Sequence, residues 1–144
     1  MDQQVTRKVL GFVVAPALGF LAMVVPVLLW PPAAKHYGDA PLFPLIRNAV
    51  EGIGLAQLVL LFVAGVVLGL VSRNRAWLLG AAAISPLPIA ALAEMIKDPT
   101  SHNLLPIEFA FYAVYGLFVA IGAFASHRLR RSWGPSGKTS EGVV

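Results

Sequence analysis

The chain contains no cysteine. Disulfides, thiolate metal sites, iron–sulfur clusters and thiol catalysis are therefore excluded. Charge is nearly as scarce: 12% of the 144 residues are Asp, Glu, Lys or Arg, against ~25% in an ordinary soluble domain. Acids are the rarer sign, seven against eleven bases. The histidines show no HxxxH or HxxE spacing, so the sequence proposes no metal and no cofactor. No internal repeat is present, and no run alternates in the manner of a barrel strand.

What is abundant is oil. Hydrophobic residues make up 58% of the chain, more than a chain this short can hide from water. The excess must face lipid. Four apolar runs carry it: "VLGFVVAPALGFLAMVVPVLLW" from Val9, "GIGLAQLVLLFVAGVVLGLV" from Gly52, "WLLGAAAISPLPIAALA" from Trp77 and "FAFYAVYGLFVAIGAFAS" from Phe109. None holds a charge between its ends. Each roughly spans a ~30 Å hydrocarbon core at 1.5 Å per residue, and a span must satisfy its own backbone hydrogen bonds. The expected fold is an all-α integral membrane protein. It is a four-span antiparallel helix bundle over residues 1–131, with spans at about 9–30, 50–71, 77–96 and 107–126, and a disordered Gly/Ser/Pro-rich tail over 132–144. The first run is too long for a cleaved signal peptide.

Eight of the eleven bases fall on one side of these spans, before the first, between the second and third and after the fourth. By the positive-inside rule both termini are cytoplasmic, which suggests the inner membrane of a bacterium. The high pI reports topology, not nucleic-acid binding. Arg128, Arg130 and Arg131 form a juxtamembrane cluster suited to anionic lipid, and Trp30, Trp77 and Trp133 suit membrane interfaces.

The connections differ. "SRNRA" between spans two and three is so short that these spans are expected to be antiparallel neighbours. "PPAAKHYGDAPLFPLIRN" between spans one and two carries Pro31, Pro32, Pro41 and Pro44, which favour extended and turn conformations over helix. Small residues mark packing seams: Gly11, Ala15 and Gly19 in span one, Gly65 and Gly69 in span two, Gly116 and Ala120 in span four. They can join helices within the chain, two copies, or a partner subunit. Pro16, Pro26, Pro86 and Pro88 interrupt hydrogen-bond ladders and can kink spans one and three.

Five of the seven acids share the non-cytoplasmic face. Glu51 and Glu108 suit the first turns of entering helices, where the dipole stabilises a carboxylate. Asn48 and Glu51 have capping-box spacing, and Pro106 suits a first helical position. Glu94 is harder to place, because it stands at the outgoing end of span three where the dipole opposes it; Lys97 is its nearest compensation. A carboxylate at that depth faces a partner or water, not lipid. Glu51, Glu94, Asp98, His102, Glu108, Tyr112 and Tyr115 are thus candidates for one outward-facing pocket, with Glu94, His102 and Glu108 as the catalytic candidates. "PIEFAFY" (106–112) resembles the Pro-x-Glu-Glu motif of small membrane-embedded lycopene cyclases over those residues alone. The second glutamate is missing, and the resemblance carries no activity. Small multidrug transporters use a glutamate deep in the first span, and this first span has no acid.

Without a catalytic motif, the expected function is a non-catalytic membrane subunit that self-associates or supports a membrane partner. The alternative is an enzyme or carrier for a small or lipidic ligand held by the acidic pocket. Convergence of the acids on a common cavity separates the two.

Overall fold

The structure is a computed structural model that describes residues 3–30, 43–97 and 105–132. Every element among them is helical: α1 (Gln3–Leu29), α2 (Pro44–Glu51), α3 (Leu55–Val71), α4 (Ala76–Ile84), α5 (Pro86–Lys97) and α6 (Leu105–Ser132). Three stretches, Val5–Leu29, Ala76–Lys97 and Pro106–Ser132, are long and apolar enough to cross a membrane. The pair α2 and α3, bent by 101°, makes a fourth when counted as one span. Helices α1 and α6 overrun their expected limits at Val9 and Ser126, because hydropathy marks the apolar slab and a helix can continue beyond it. The tail expectation for 133–144 lies outside the described residues.

Three local expectations are corrected. The Pro-rich connection is not extended throughout, since its last part forms α2. Pro44 occupies the start of that helix, where its missing N–H costs nothing. Ile46, Ala49, Val50 and Ile53 at helical spacing then pack on the core, and that burial outweighs the proline signal. Consequently Glu51 ends α2 and does not begin a membrane helix, and Asn48 is interior to α2. The cap of α3 is made by Gln57, whose Oε1 accepts a hydrogen bond from the Gly54 N–H at 3.0 Å, as a residue three positions into a helix does in a capping box.

The third correction concerns neighbours. Helices α3 and α4 barely touch despite their short connection, while α1 and α6 each pack along both. The four form a ring in the order α1, α3, α6, α4, with the two consecutive helices on a diagonal. What places α6 between them is backbone proximity. A Cβ on Gly65 would collide with the Val119 carbonyl, and one on Gly122 with the Phe62 carbonyl. A Cβ on Gly69 would meet Ser126 and Ala123, and one on Gly80 would meet the Gly116 carbonyl. In lipid, such close approach replaces the hydrophobic drive between helices. Gly19 lies equally close to the Ala83 backbone, joining α1 to α4, and Gly11 lies on Ser72.

Small residues such as Ala15, Ala64, Ala83 and Ala123 share the interior with Met23, Leu61, Leu68 and Leu79, whereas Val13, Leu28, Leu117 and Phe124 stand outside. Exposed apolar surface on this scale suits lipid and not water.

One end of the bundle is fastened by polar contacts. Asn74 Nδ2 donates to the Lys8 carbonyl at 2.8 Å and Asn74 N donates to Ser72 Oγ at 3.1 Å. His127 Nε2 reaches the Ser72 carbonyl at 3.3 Å, and Arg130 donates to the Leu70 carbonyl at the end of α3. The start of α1, the α3–α4 connection and the end of α6 therefore meet at one end, so the long helices alternate in direction.

The seam residues predict a stability difference. Replacing Gly65 or Gly69 by leucine should destabilise the chain by more than about 2 kcal/mol, because overpacking is met by backbone. Leu117→Ala on the exposed face should shift stability by less than about 0.5 kcal/mol. Denaturant titration in micelles reads both; a stable monomer that merely loses self-association would place the seam between copies.

Candidate ligand cavity

Span three is broken at Ser85. Pro86 has no N–H to offer the Ala82 carbonyl, four residues back, and Ser85 takes over that acceptor. Its backbone N donates to Ala82 O at 3.3 Å and its hydroxyl at 2.8 Å. Before the break, α4 packs closely along α6; beyond it, α5 touches α1 and α6 only sparsely. The gap that opens between α5 and α6 is roofed by α2, which crosses the bundle after its 101° bend from α3.

The three elements line a half-open cavity of about 330 Å³. Its polar lining is Arg47 and Glu51 from α2, Glu94 from α5, and Glu108, Tyr112 and Tyr115 from α6; the rest includes Phe43, Leu87, Ala91 and Phe111. Glu108, Tyr112 and Tyr115 follow helical spacing on one face of α6, which aims all three at the same space. Glu94 and Tyr112 are deeply buried, at 4% and 5% exposure. Five of the seven pocket candidates therefore converge, and Asp98 and His102 lie outside the described residues.

The position of Glu94 has a local cause. Phe43 precedes α2 and offers no side-chain cap, yet its backbone N donates to Glu94 Oε1 at 3.1 Å. A carboxylate from 51 residues away thus does what a capping-box acid usually does within its own helix. Lys97, the expected compensation, is exposed at the end of α5. On α2, Arg47 Nε binds Glu51 Oε1 at 2.7 Å, which offsets the unfavourable place of Glu51 at a helix C-terminus. Tyr115 Oη approaches the Val50 carbonyl at 3.5 Å, near the limit of a hydrogen bond. Among the described residues no three His, Asp or Glu gather closely enough to hold a metal ion.

Arg47, Phe43 and Phe111 were not among the sequence candidates. Phe111 stands three residues after Glu108 and could have been found by extending the α6 face. Arg47 and Phe43 required α2, whose signal was Pro44 followed by apolar residues at helical spacing.

A second hollow, of about 400 Å³, opens on the exposed side between α4–α5 and α6. It is lined by Trp77, Ala81, Pro88, Ala113 and Leu117 among others, and Tyr112 lines both hollows. Of the remaining seam candidates, Gly116 and Ala120 border this groove. No protein-family model, curated protein or solved structure matches the chain.

Two measurements follow. Glu94→Ala removes the acceptor of the Phe43 N–H, so hydrogen exchange across α2 should speed up, while Glu94→Gln, which keeps an amide oxygen there, should leave it slow. Unchanged exchange in Glu94→Ala would show that α2 is held by other contacts. Pro86→Ala with Pro88→Ala should straighten span three and draw α5 toward α6. Because the chain has no cysteine, spin labels at Ile96→Cys and Ile107→Cys can report the separation, which should shorten; an equal distance would put the cause of the gap elsewhere.

Proposed function

We propose that the chain is a four-span protein of the cytoplasmic membrane, both termini cytoplasmic, that binds a small ligand from the outer side in the cavity between α2, α5 and α6. The bases support the orientation: Arg7, Lys8, Arg73, Arg75 and Arg128 belong to the end fastened at Asn74, and Glu94 and Glu108 to the other. One observation carries the binding role. Acids from three separate helices, with two buried tyrosines, line one half-open cavity, and a concave, largely apolar space with a few convergent polar groups is the form a small-ligand site takes. Among the described residues the lining holds no nucleophile–base pair, so the reading is a carrier or ligand-binding subunit and not a named reaction.

Arg128 and Arg131 are exposed and remain available for anionic lipid, whereas Arg130 is turned toward α3. Arg128 also lies 5.0 Å from the Phe124 ring centroid, a placement that steadies it near the surface.

A second reading, a self-associating or partner-supporting subunit, is favoured by the exposed apolar groove beside Trp77 and Leu117. The glycine seams no longer argue for it, since their close contacts are within the chain.

Native mass spectrometry of the protein released from its own membrane, beside a cavity-filling Val50→Trp variant, tests the proposal. A small extra mass on the wild-type chain that the variant lacks is the expected result. Whole multiples of the chain, or a second protein retained in both forms with no small ligand, would overturn it in favour of the assembly subunit.

A further inference from the structure

Tyr112 carries a polar group that the fold does not use. The residue is 5% exposed, and its ring packs on that of Phe109, with centroids 5.8 Å apart and planes tilted by 54°. Among the described residues its hydroxyl makes no hydrogen bond. A buried polar group in that state is uncommon, because desolvating it without a partner is costly. Tyr115, three residues further along α6, shows the usual solution, its hydroxyl turned to the Val50 carbonyl at 3.5 Å.

The Tyr112 hydroxyl is not sealed in. Among the described residues no fully covered side-chain nitrogen or oxygen lacks a partner, so this oxygen keeps a small opening. Its neighbours show where. The carboxyl groups of Glu108 and Glu94 lie within electrostatic reach of it, and both residues line the cavity and not the apolar groove. Phe109 lines the groove and not the cavity. The tyrosine is thus a partition whose ring is backed from the groove side and whose hydroxyl is presented to the cavity.

A phenol hydroxyl both donates and accepts, so its counterpart must be a hydrogen-bonding group. An uncharged group suffices, and burying one costs far less than burying a charge. An alcohol matches both roles. Its oxygen accepts from Tyr112, and its proton is given to a carboxyl oxygen in the same lining, a group that holds several donors at once. The remaining walls, among them Ile46, Val50, Leu87, Ile107 and Phe111, are apolar and suit a hydrocarbon chain.

We infer that the ligand is an uncharged long-chain alcohol whose hydroxyl is hydrogen-bonded to Tyr112 Oη and whose chain lies along the apolar walls of the cavity. This deepens the binding role proposed above and rests on it. Tyr112 is then the residue that tells an alcohol from a hydrocarbon of the same shape.

The test uses the full chain in phosphatidylcholine nanodiscs and three probes: 1-dodecanol, its methyl ether and dodecane. The ether accepts a hydrogen bond but cannot donate one, and the alkane does neither. Equilibrium partition between loaded and empty nanodiscs, with native mass spectrometry for stoichiometry, should find one saturable dodecanol per chain. Replacing the alcohol by its ether should weaken binding about tenfold or more, the scale of one buried hydrogen bond left unmade. Tyr112→Phe, which removes one oxygen and keeps the ring, should weaken dodecanol binding to the same extent and leave dodecane unaffected. Circular dichroism and hydrogen exchange check that the variant is folded, and the ether comparison needs no variant. Ether or dodecane binding as tightly as the alcohol would overturn the hydroxyl head. Equal dodecanol affinity in wild type and Tyr112→Phe, abolished by Val50→Trp, would overturn the role of Tyr112 and leave the cavity reading standing. A native ligand retained by the wild-type chain and not displaced by dodecanol would also overturn this inference alone. Binding of no probe and no native ligand would sink the cavity reading with it.

Discussion

The arrangement depends on how closely the backbone of α6 approaches those of α3 and α4. Gly65, Gly69 and Gly122 set the distance to α3, and Gly80 against Gly116 sets it to α4. In a bilayer the lipid tails are as apolar as any leucine, so helices gain from contact only where small residues permit it. Helix α6 takes the most intimate contacts available from both sides, and so it stands between two helices that are consecutive in sequence. Everything at the opposite end follows from what happens where those contacts stop.

They stop on span three at Ser85 and Pro86. Up to Ile84 the span is held to α6, and beyond it α5 departs. The departing helix leaves an opening lined partly by polar groups, and α2 covers it. The acids there are partly structural: Glu94 caps α2 and Glu51 is steadied by Arg47. The same residues give the covered space its chemistry. Packing and the make-up of the chamber are therefore coupled here, because the residue that fixes the roof also places a carboxyl group in the lining.

The sequence made the apolar helices, their alternation and the importance of Glu94 legible, because hydropathy and helix-end electrostatics are local properties. Glu108, Tyr112 and Tyr115 were also within reach, since one helix face carries them all. Helix α2 was not, because four prolines in its neighbourhood outvote eight residues whose helicity depends on burial against α1. Glu51 was misplaced for the same reason. The diagonal placement of α3 and α4 was hidden too. A short loop limits how far apart two helix ends lie, but not which third helix competes for the space between them. Gly80 and Gly122 became informative only once their opposite backbones were known.

The bond from Phe43 to Glu94 spans 51 residues of chain, and this has a consequence for the order of assembly. At a synthesis rate of about 5–20 residues per second, α2 emerges several seconds before the carboxylate that caps it exists. Its first turn must wait, uncapped, until the apolar stretch Ala76–Lys97 has been made. The roof is thus a late piece of the fold, completed from downstream, and the chamber beneath it comes into being only after α5 and α6 have followed.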